Sequence, residues 1–176
     1  PGATNLVTGI ATAYMNSVPI VAITCNVGIS LLGKDSFQEI DIAGVTTPIT
    51  KYSFIVKDVK DLAPTLRRAF EIAKTGRPGP VLVDIVKNAT SDVTEYEKEI
   101  PKLIPRMTEK IDETAIDEAI KILRKSDKPM ILVGGGAVIA DADKELADFV
   151  KKVDAPVTDT LMGKGAFNGN DEYYVG

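Results

Sequence analysis

Two glycine-bearing loops in the second half of the sequence have the residue types that bind phosphate. Gly134-Gly135-Gly136 follows a predicted strand and precedes a predicted helix, where backbone N–H groups and the helix dipole attract anions. The loop at 160–165 follows the next predicted strand. Parallel strands end at one edge of a sheet, so we expect the two loops to lie together as a site for a nucleotide-like ligand. A tight strand-to-helix turn explains the first loop equally well, because no complete dinucleotide fingerprint is present.

The first half offers two cationic candidates that flank one predicted strand. Arg77 lies in Gly76-Arg77-Pro78-Gly79-Pro80, and its planar guanidinium suits phosphate or carboxylate oxygens. Lys87 follows the carboxyl end of the same strand and could pair with a charged substrate. A rigid surface turn with a solvated arginine, and an ordinary exposed lysine, are the alternatives for these two positions.

Three further positions could line a pocket. Gln38 offers an amide, and Glu39 offers either a carboxylate or a simple complement to the dipole of a helix that begins there. The turn at 1–5 leads into a helix N-terminus. Cys25 follows a predicted buried strand and is expected to be a small core residue, since no histidine is present to act as its base.

Composition limits the possible chemistry. The 176 residues contain no histidine and one cysteine, which excludes a Ser-His-Asp triad and an internal disulfide within them, so a cytoplasmic location is the default. The net charge of −4 and the scattered basic residues argue against a nucleic-acid surface. No run approaches the roughly 20 apolar residues that span a bilayer, so no membrane partner is expected.

The elements that would position these residues alternate between helix and strand. In the first half, the patterns predict a helix over 5–17, a strand buried on both faces over 19–24, a helix over 62–74 with Asp61 as its N-cap, and a buried strand over 81–85. In the second half they predict a helix capped by Asp112 and then strands over 129–133 and 156–159. Between these strands, the turn at Gly134 to Gly136 leads into a helix whose inward side chains are Leu146, Phe149, Val150 and Val153.

Short strand–helix–strand spacing favours right-handed parallel βαβ units. We therefore predict an α/β protein made of two partial doubly wound parallel-sheet domains. The predicted organisation is a first domain over 1–88, a linker over 89–111 and a second domain over 112–176.

Five motifs occur in this order: Pro1 to Ala11, Asp35 to Glu39, Gly76 to Asp84, Gly134 to Gly136 and Thr160 to Gly165. Together they closely resemble the large catalytic subunits of acetolactate synthase (acetohydroxyacid synthase), a thiamine-diphosphate-dependent family. The resemblance extends over essentially the whole sequence, about a third of such a subunit. It implies an internal fragment containing the latter part of the pyrimidine-binding domain, the linker and the first part of the central FAD-binding-type domain.

The resemblance implies three groups of site residues. The thiamine pyrimidine would be contacted by Pro1, Gly2 and Asn5. The catalytic, substrate-facing side would be formed by Phe37, Gln38 and Lys87. FAD would be contacted by Arg77, Gly134, Gly135, Gly136, Thr160, Leu161 and Met162.

The family reaction decarboxylates pyruvate and joins the remaining two carbons to a second 2-ketoacid, pyruvate or 2-ketobutyrate, in branched-chain amino-acid synthesis. The resemblance implies thiamine diphosphate, Mg²⁺ and a structural FAD, a homodimer or homotetramer, and a small regulatory subunit. The family's activating glutamate and metal-binding motif have no counterpart within these 176 residues, and we find no metal ligands here. We therefore expect the isolated segment to be inactive, and to bind none of these cofactors if half of each site is missing.

Alternative functions remain. The sequence departs from the family at Cys25-Asn26-Val27-Gly28, Val86 and Tyr52. Sister thiamine enzymes, namely the catabolic acetolactate synthase, pyruvate oxidase and glyoxylate carboligase, share the Gly-Arg-Pro-Gly-Pro and triple-glycine motifs, although 4–9 and 37–41 favour the anabolic enzyme. A non-catalytic nucleotide-binding module is the alternative from another class.

Overall fold

The computed structural model describes residues 1–99 and 111–176. The described residues divide into two compact units, unit 1 before and unit 2 after the interval between these ranges. Residues 100–110 of the predicted linker lie outside the described residues. At the other end of that prediction, a helix spans Lys87–Ser91 and continues past residue 88, with Ala89 buried in the core.

Unit 1 is built on a parallel three-stranded sheet. Its strands are β1 (Val21–Asn26), β2 (Tyr52–Val56) and β3 (Val81–Val86), in the spatial order β1-β3-β2. Every residue of β3 is buried, because this strand lies between the other two. Its sequence, apolar except for Asp84, fits that position, and the predicted strand over 81–85 is confirmed.

Helices cover both faces of this sheet. A 3-10 turn at Ala3–Leu6 leads into α1 (Val7–Met15), and a second one, Thr47–Ile49, follows α2 (Ile42–Thr46); the later helices are α3 (Val59–Lys74) and α4 (Lys87–Ser91). On one face, small residues of α3, Ala69 and Ala73, pack against alternate residues of β3. On the other face, Leu82 packs with Ile10 of α1 and Ile42 of α2.

Unit 2 contains two parallel strands, β4 (Ile131–Val133) and β5 (Val157–Asp159), paired in register from Ile131 and Val157. Its helices are α5 (Glu113–Arg124), α6 (Gly135–Ala140) and α7 (Asp143–Val153), and a 3-10 turn spans Leu161–Gly163. Val150 of α7 packs against the two strands together with Phe167. Both units therefore have the parallel α/β character that the sequence predicts.

Several local predictions are corrected. The strand over 19–24 is not buried on both faces: β1 lies at the edge of the described sheet, Ile23 is 52% exposed and Cys25 is exposed rather than a core residue. The N-cap of α3 is Asp58, not Asp61, and the helix begins three residues early. Asp112 caps α5 as predicted, accepting from the N–H of Ala115.

The helix predicted after the glycine turn is two helices, α6 and α7, and of its predicted inward residues Val150 is fully buried whereas Phe149 is 45% exposed. In α5, Ile116 and Ile120 are exposed. The sequence patterns also missed β2 and α2, each five residues long. No helix within 1–99 or 111–176 has the length and apolar character to cross a membrane.

Candidate functional site

A cavity of about 460 Å³ opens beside the carboxyl half of β1 in unit 1. Three stretches of chain form it: the first turn, the end of β1 and the loop that leads to α2. Its lining consists of Pro1, Gly2, Ala3, Leu6, Ile23, Thr24, Cys25, Asn26, Gln38, Ile40 and Ile42. The structure therefore brings Gln38 next to Pro1 and Gly2, from which it is distant in the sequence.

The composition of the lining suits a small heteroaromatic ring. Aliphatic side chains form much of the wall, while Thr24, Asn26 and Gln38 supply polar groups. Binding pockets for small molecules combine apolar walls with a few polar groups, and range over roughly 300–1,000 Å³. The glycine at position 2 leaves open space, since a Cβ atom there would meet no atom within 4 Å.

A buried hydrogen-bond network lies behind the cavity. Asp84, on the central strand β3, accepts from the Thr24 hydroxyl (2.7 Å) and the Asn26 amide (2.6 Å). The same Asn26 amide nitrogen donates to the carbonyl of Ile40 (3.3 Å). Sequence reasoning missed this network, because one aspartate in an apolar strand gives no sign of partners about sixty residues away.

Glu39 organises the loop that delivers Gln38. Its carboxylate accepts from the backbone N–H and hydroxyl of Ser36, both at 2.9 Å, and from the backbone N–H of Gly33. The backbone N–H groups of Ser36 and then Gly33 lower the pKa of Glu39 below its usual value. Glu39 does not begin a helix as expected, because α2 begins at Ile42 with Asp41 as its cap.

The other residues predicted for the substrate and pyrimidine lie outside this lining. Phe37 is 87% exposed, and Asn5 belongs to the 3-10 turn beside the cavity. Lys87 is exposed at the start of α4, immediately after the carboxyl end of β3, and its backbone N–H donates to the Val27 carbonyl (3.4 Å). Unit 1 therefore does not bring Asn5, Phe37 and Lys87 into one pocket with Pro1, Gly2 and Gln38.

Arg77 lies at the amino end of β3, opposite the edge that bears the cavity. Its Nε donates to the Ser17 hydroxyl (2.7 Å) and its Nη2 to the Met15 carbonyl (3.4 Å), at the C-terminal end of α1. This position suits a cation, because the helix dipole is negative there. The FAD contact assigned to Arg77 stays a prediction.

In unit 2 the two glycine loops lie against each other, as the sequence predicts. The Thr160 N–H donates to the Val133 carbonyl (2.8 Å), and the Thr160 hydroxyl accepts from the Gly163 N–H (3.2 Å). A Cβ atom on Gly135 would lie 3.0 Å from the Met162 Cβ, so the loops approach closely. Leu161, at 81% exposure, points into solvent.

A charged cluster beside these loops was not predicted. Asp159, at the end of β5, accepts from Lys164 Nζ (3.1 Å) and from the Tyr174 hydroxyl (3.0 Å), and its side chain is only 3% exposed. Lys164 Nζ also donates to the Tyr174 hydroxyl (3.4 Å). The hydrogen bond of Lys164 to Asp159, and after it the one to Tyr174, raise the pKa of Lys164. Across 1–99 and 111–176, no cluster of three or more metal-ligating side chains is present.

Two parts of the chain match domains of one enzyme class. Residues 1–45 match the family described as the thiamine pyrophosphate enzyme N-terminal TPP binding domain, and residues 116–176 match the thiamine pyrophosphate enzyme central domain. Two separate parts of the chain are therefore similar to domains of thiamine pyrophosphate enzymes.

Acetolactate synthases are among its relatives. The whole chain is 45% identical to the acetolactate synthase of Arthrospira platensis and covers 31% of that protein. It is 43% identical to the acetolactate synthase large subunit of Haemophilus influenzae, again over the whole chain and 31% of the relative, and 45% identical to that of Pyropia yezoensis, of which it covers 30%. The chain thus spans about 30% of the length of these relatives.

Proposed function

We propose that these residues act in an acetolactate synthase, within a longer polypeptide, and help to condense pyruvate with a second 2-ketoacid, pyruvate or 2-ketobutyrate. The observation that carries the proposal is identity of 43–45% along the whole chain to proteins with that name. The cavity of unit 1 supports it, because residues assigned to the thiamine pyrimidine and to the substrate side line one space.

The cavity would seat the pyrimidine ring of thiamine diphosphate. Leu6, Ile23 and Ile40 supply apolar contact to its faces, the small residues at 1–3 allow close approach, and the Gln38 amide offers a hydrogen bond. Bound thiamine diphosphate supplies the chemistry that removes carbon dioxide from a 2-ketoacid. Asn5 would close the pyrimidine side of the site.

The substrate side would be completed by Phe37 and Lys87. The Lys87 ammonium follows the carboxyl end of β3 and would attract the carboxylate of the 2-ketoacid. The exposed Phe37 ring would cover the substrate's apolar end once the rest of the active site is in place. The activating glutamate and the Mg²⁺ ligands would come from other parts of the enzyme.

Unit 2 would hold FAD in a structural, non-redox role. The support is the contact between the two loops, which places Gly134, Gly135 and Gly136 beside Thr160, Leu161 and Met162. Arg77 would add a cationic contact. On the same reasoning, we propose that 1–88 and 112–176 belong to the pyrimidine-binding and central domains, joined by a linker over 89–111.

The family resemblance also supports a proposal for the assembly: a cytoplasmic homodimer or homotetramer, joined by a small regulatory subunit. A shared active site between subunits would place residues of the partner beside the cavity at the edge strand β1. The anabolic role, the first step of branched-chain amino-acid synthesis, follows from the same proposal.

The test measures acetolactate formed from pyruvate, thiamine diphosphate and Mg²⁺ by the complete polypeptide that contains these residues. We expect activity, bound FAD in the purified enzyme and no activity from residues 1–176 alone. Gln38→Ala should weaken thiamine diphosphate binding, whereas Asn170→Ala, on an exposed loop of unit 2, should leave it unchanged. Pyruvate oxidation or glyoxylate ligation in place of acetolactate would assign a sister enzyme, and binding of NAD without FAD would assign a non-catalytic nucleotide-binding module.

A further inference from the structure

Asp84 is a charged residue at the centre of an otherwise apolar strand. It is 1% exposed, and it lies on the sheet face that carries Leu82. Burial of a carboxylate is costly even when it is hydrogen-bonded, and an apolar residue often serves a core position at least as well. Its hydrogen bonds therefore suggest a role beyond stability.

Those bonds link three separated parts of the chain. Both carboxylate oxygens are used, Oδ1 by the Thr24 hydroxyl and Oδ2 by the Asn26 amide. The Asn26 amide is itself fully engaged: Nδ2 also donates to the Ile40 carbonyl, and Oδ1 accepts from the Val27 N–H (2.8 Å). An amide held at all three positions has one orientation.

Asn26 and Ile40 line the cavity, whereas Asp84 lies behind it. The Ile40 carbonyl also accepts from the N–H of Ile42, at the start of α2 (2.9 Å). The chain of contacts from Asp84 through Asn26 to Ile40 thus ties the edge strand to the segment that carries Gln38.

We propose that Asp84 is a positioning residue: by orienting Asn26, it holds the 38–42 segment against β1 and sets the shape of the cavity for the thiamine pyrimidine. This inference rests on the proposed function for the identity of the ligand. The positioning itself is a property of the fold and is measurable without the reaction.

The decisive variant is Asp84→Asn in the complete polypeptide. The amide keeps the volume, but it has only one acceptor oxygen, so it cannot accept from both the Thr24 hydroxyl and the Asn26 amide as the carboxylate does. We expect amide hydrogen exchange over 38–46 to become about tenfold faster and thiamine diphosphate, titrated with Mg²⁺, to bind about tenfold more weakly.

Val83→Ala is the matched control. Val83 is the preceding residue of β3, is fully buried and packs on the opposite face, so its truncation destabilises the sheet without touching the network. It should leave exchange over 38–46 and cofactor affinity within twofold of the wild type. If Asp84→Asn does not fold, Asn26→Ala breaks the same link and should give the same local exchange.

Equal effects of Asp84→Asn and Val83→Ala on 38–46 would overturn the proposal and leave Asp84 a purely structural residue. Unchanged exchange and binding in Asp84→Asn would overturn it too. A wild-type enzyme that makes no acetolactate would contradict the proposed function alone, because the exchange comparison decides the positioning role independently.

Discussion

Gly163 packs directly against the carbonyl of Val133, and a Cβ atom at position 163 would overlap that oxygen. The contact joins the 3-10 turn after β5 to the end of β4, and so fixes the two glycine loops of unit 2 relative to each other. Glycine is required here by close approach of two backbone segments. The two loops can therefore form one surface only while residue 163 has no side chain.

Gly163→Ala is expected to lower the free energy of unfolding by roughly 2–3 kcal/mol, because the new methyl group must displace backbone atoms. Gly136→Ala is the matched control: position 136 lies in α6 with open space around it, so alanine should be neutral or stabilising by up to about 1 kcal/mol. Urea denaturation of both variants measures the difference. Equal losses would contradict the packing described for Gly163.

Sequence patterns predicted those elements of the fold whose pattern is local to the element itself. The apolar run of β3 and the Asp112 cap of α5 are local features, and both are confirmed. Strand β2 was not predicted, because Tyr52–Val56 is short and mixes exposed with buried positions. The burial of β1 was overestimated, because its sequence does not reveal that it lies at the edge of the sheet.

In the candidate site, too, the features that follow from local sequence were predicted and those that depend on distant contacts were not. The contact between the glycine loops follows from parallel topology, which the sequence predicts. The bonds of Asp84 to Thr24 and Asn26 depend on strand register, and no local spacing encodes that register. Gln38 lines a cavity whose other walls are the first turn and β1, which are distant in the sequence and which a local motif does not specify.

Glu39 should make the protein more stable near neutral pH than in acid. Its pKa is lower in the folded state than the ordinary value of 4.5, so the unfolded state takes up the proton first. The contribution is complete above that ordinary value and is lost as the pH falls through the folded pKa. Glu39→Gln should therefore lower the free energy of unfolding at about pH 7, and the difference in this free energy between variant and wild type should be smaller at about pH 3.

Chemical denaturation at the two pH values measures this gap. Asp61→Asn is a suitable control, because Asp61 lies in the first turn of α3, away from this loop. A gap for Glu39→Gln that stays constant with pH would contradict the role of the ionised carboxylate.

Lys51 stabilises the C-terminal end of α3. Its Nζ donates to the Thr75 carbonyl (2.6 Å) and to the Ile72 carbonyl, which the helix itself leaves without amide partners. Lys51→Met keeps the aliphatic stem beside Gly79 and removes the cation, so we expect a loss of about 1 kcal/mol in the free energy of unfolding.

Lys57→Met is the matched control. Lys51 lies immediately before β2 and Lys57 immediately after it, and Lys57 is exposed. Thermal unfolding of the two variants compares them directly. A similar loss in both would show that the Lys51 contacts add nothing beyond an ordinary surface lysine.

Cys25 provides a chemical test of the exposed edge of unit 1. The thiol lies on β1, lines the cavity and is exposed, although the sequence predicts a core position. We expect this single cysteine of the 176-residue chain to react with a water-soluble disulfide reagent at one thiol per chain without denaturant. The same reaction in guanidinium chloride gives the total thiol, and Cys25→Ser gives the background. A thiol that reacts only after unfolding would contradict the exposed edge strand. In the complete polypeptide, thiamine diphosphate with Mg²⁺ should slow the labelling of Cys25 if its pyrimidine occupies the cavity.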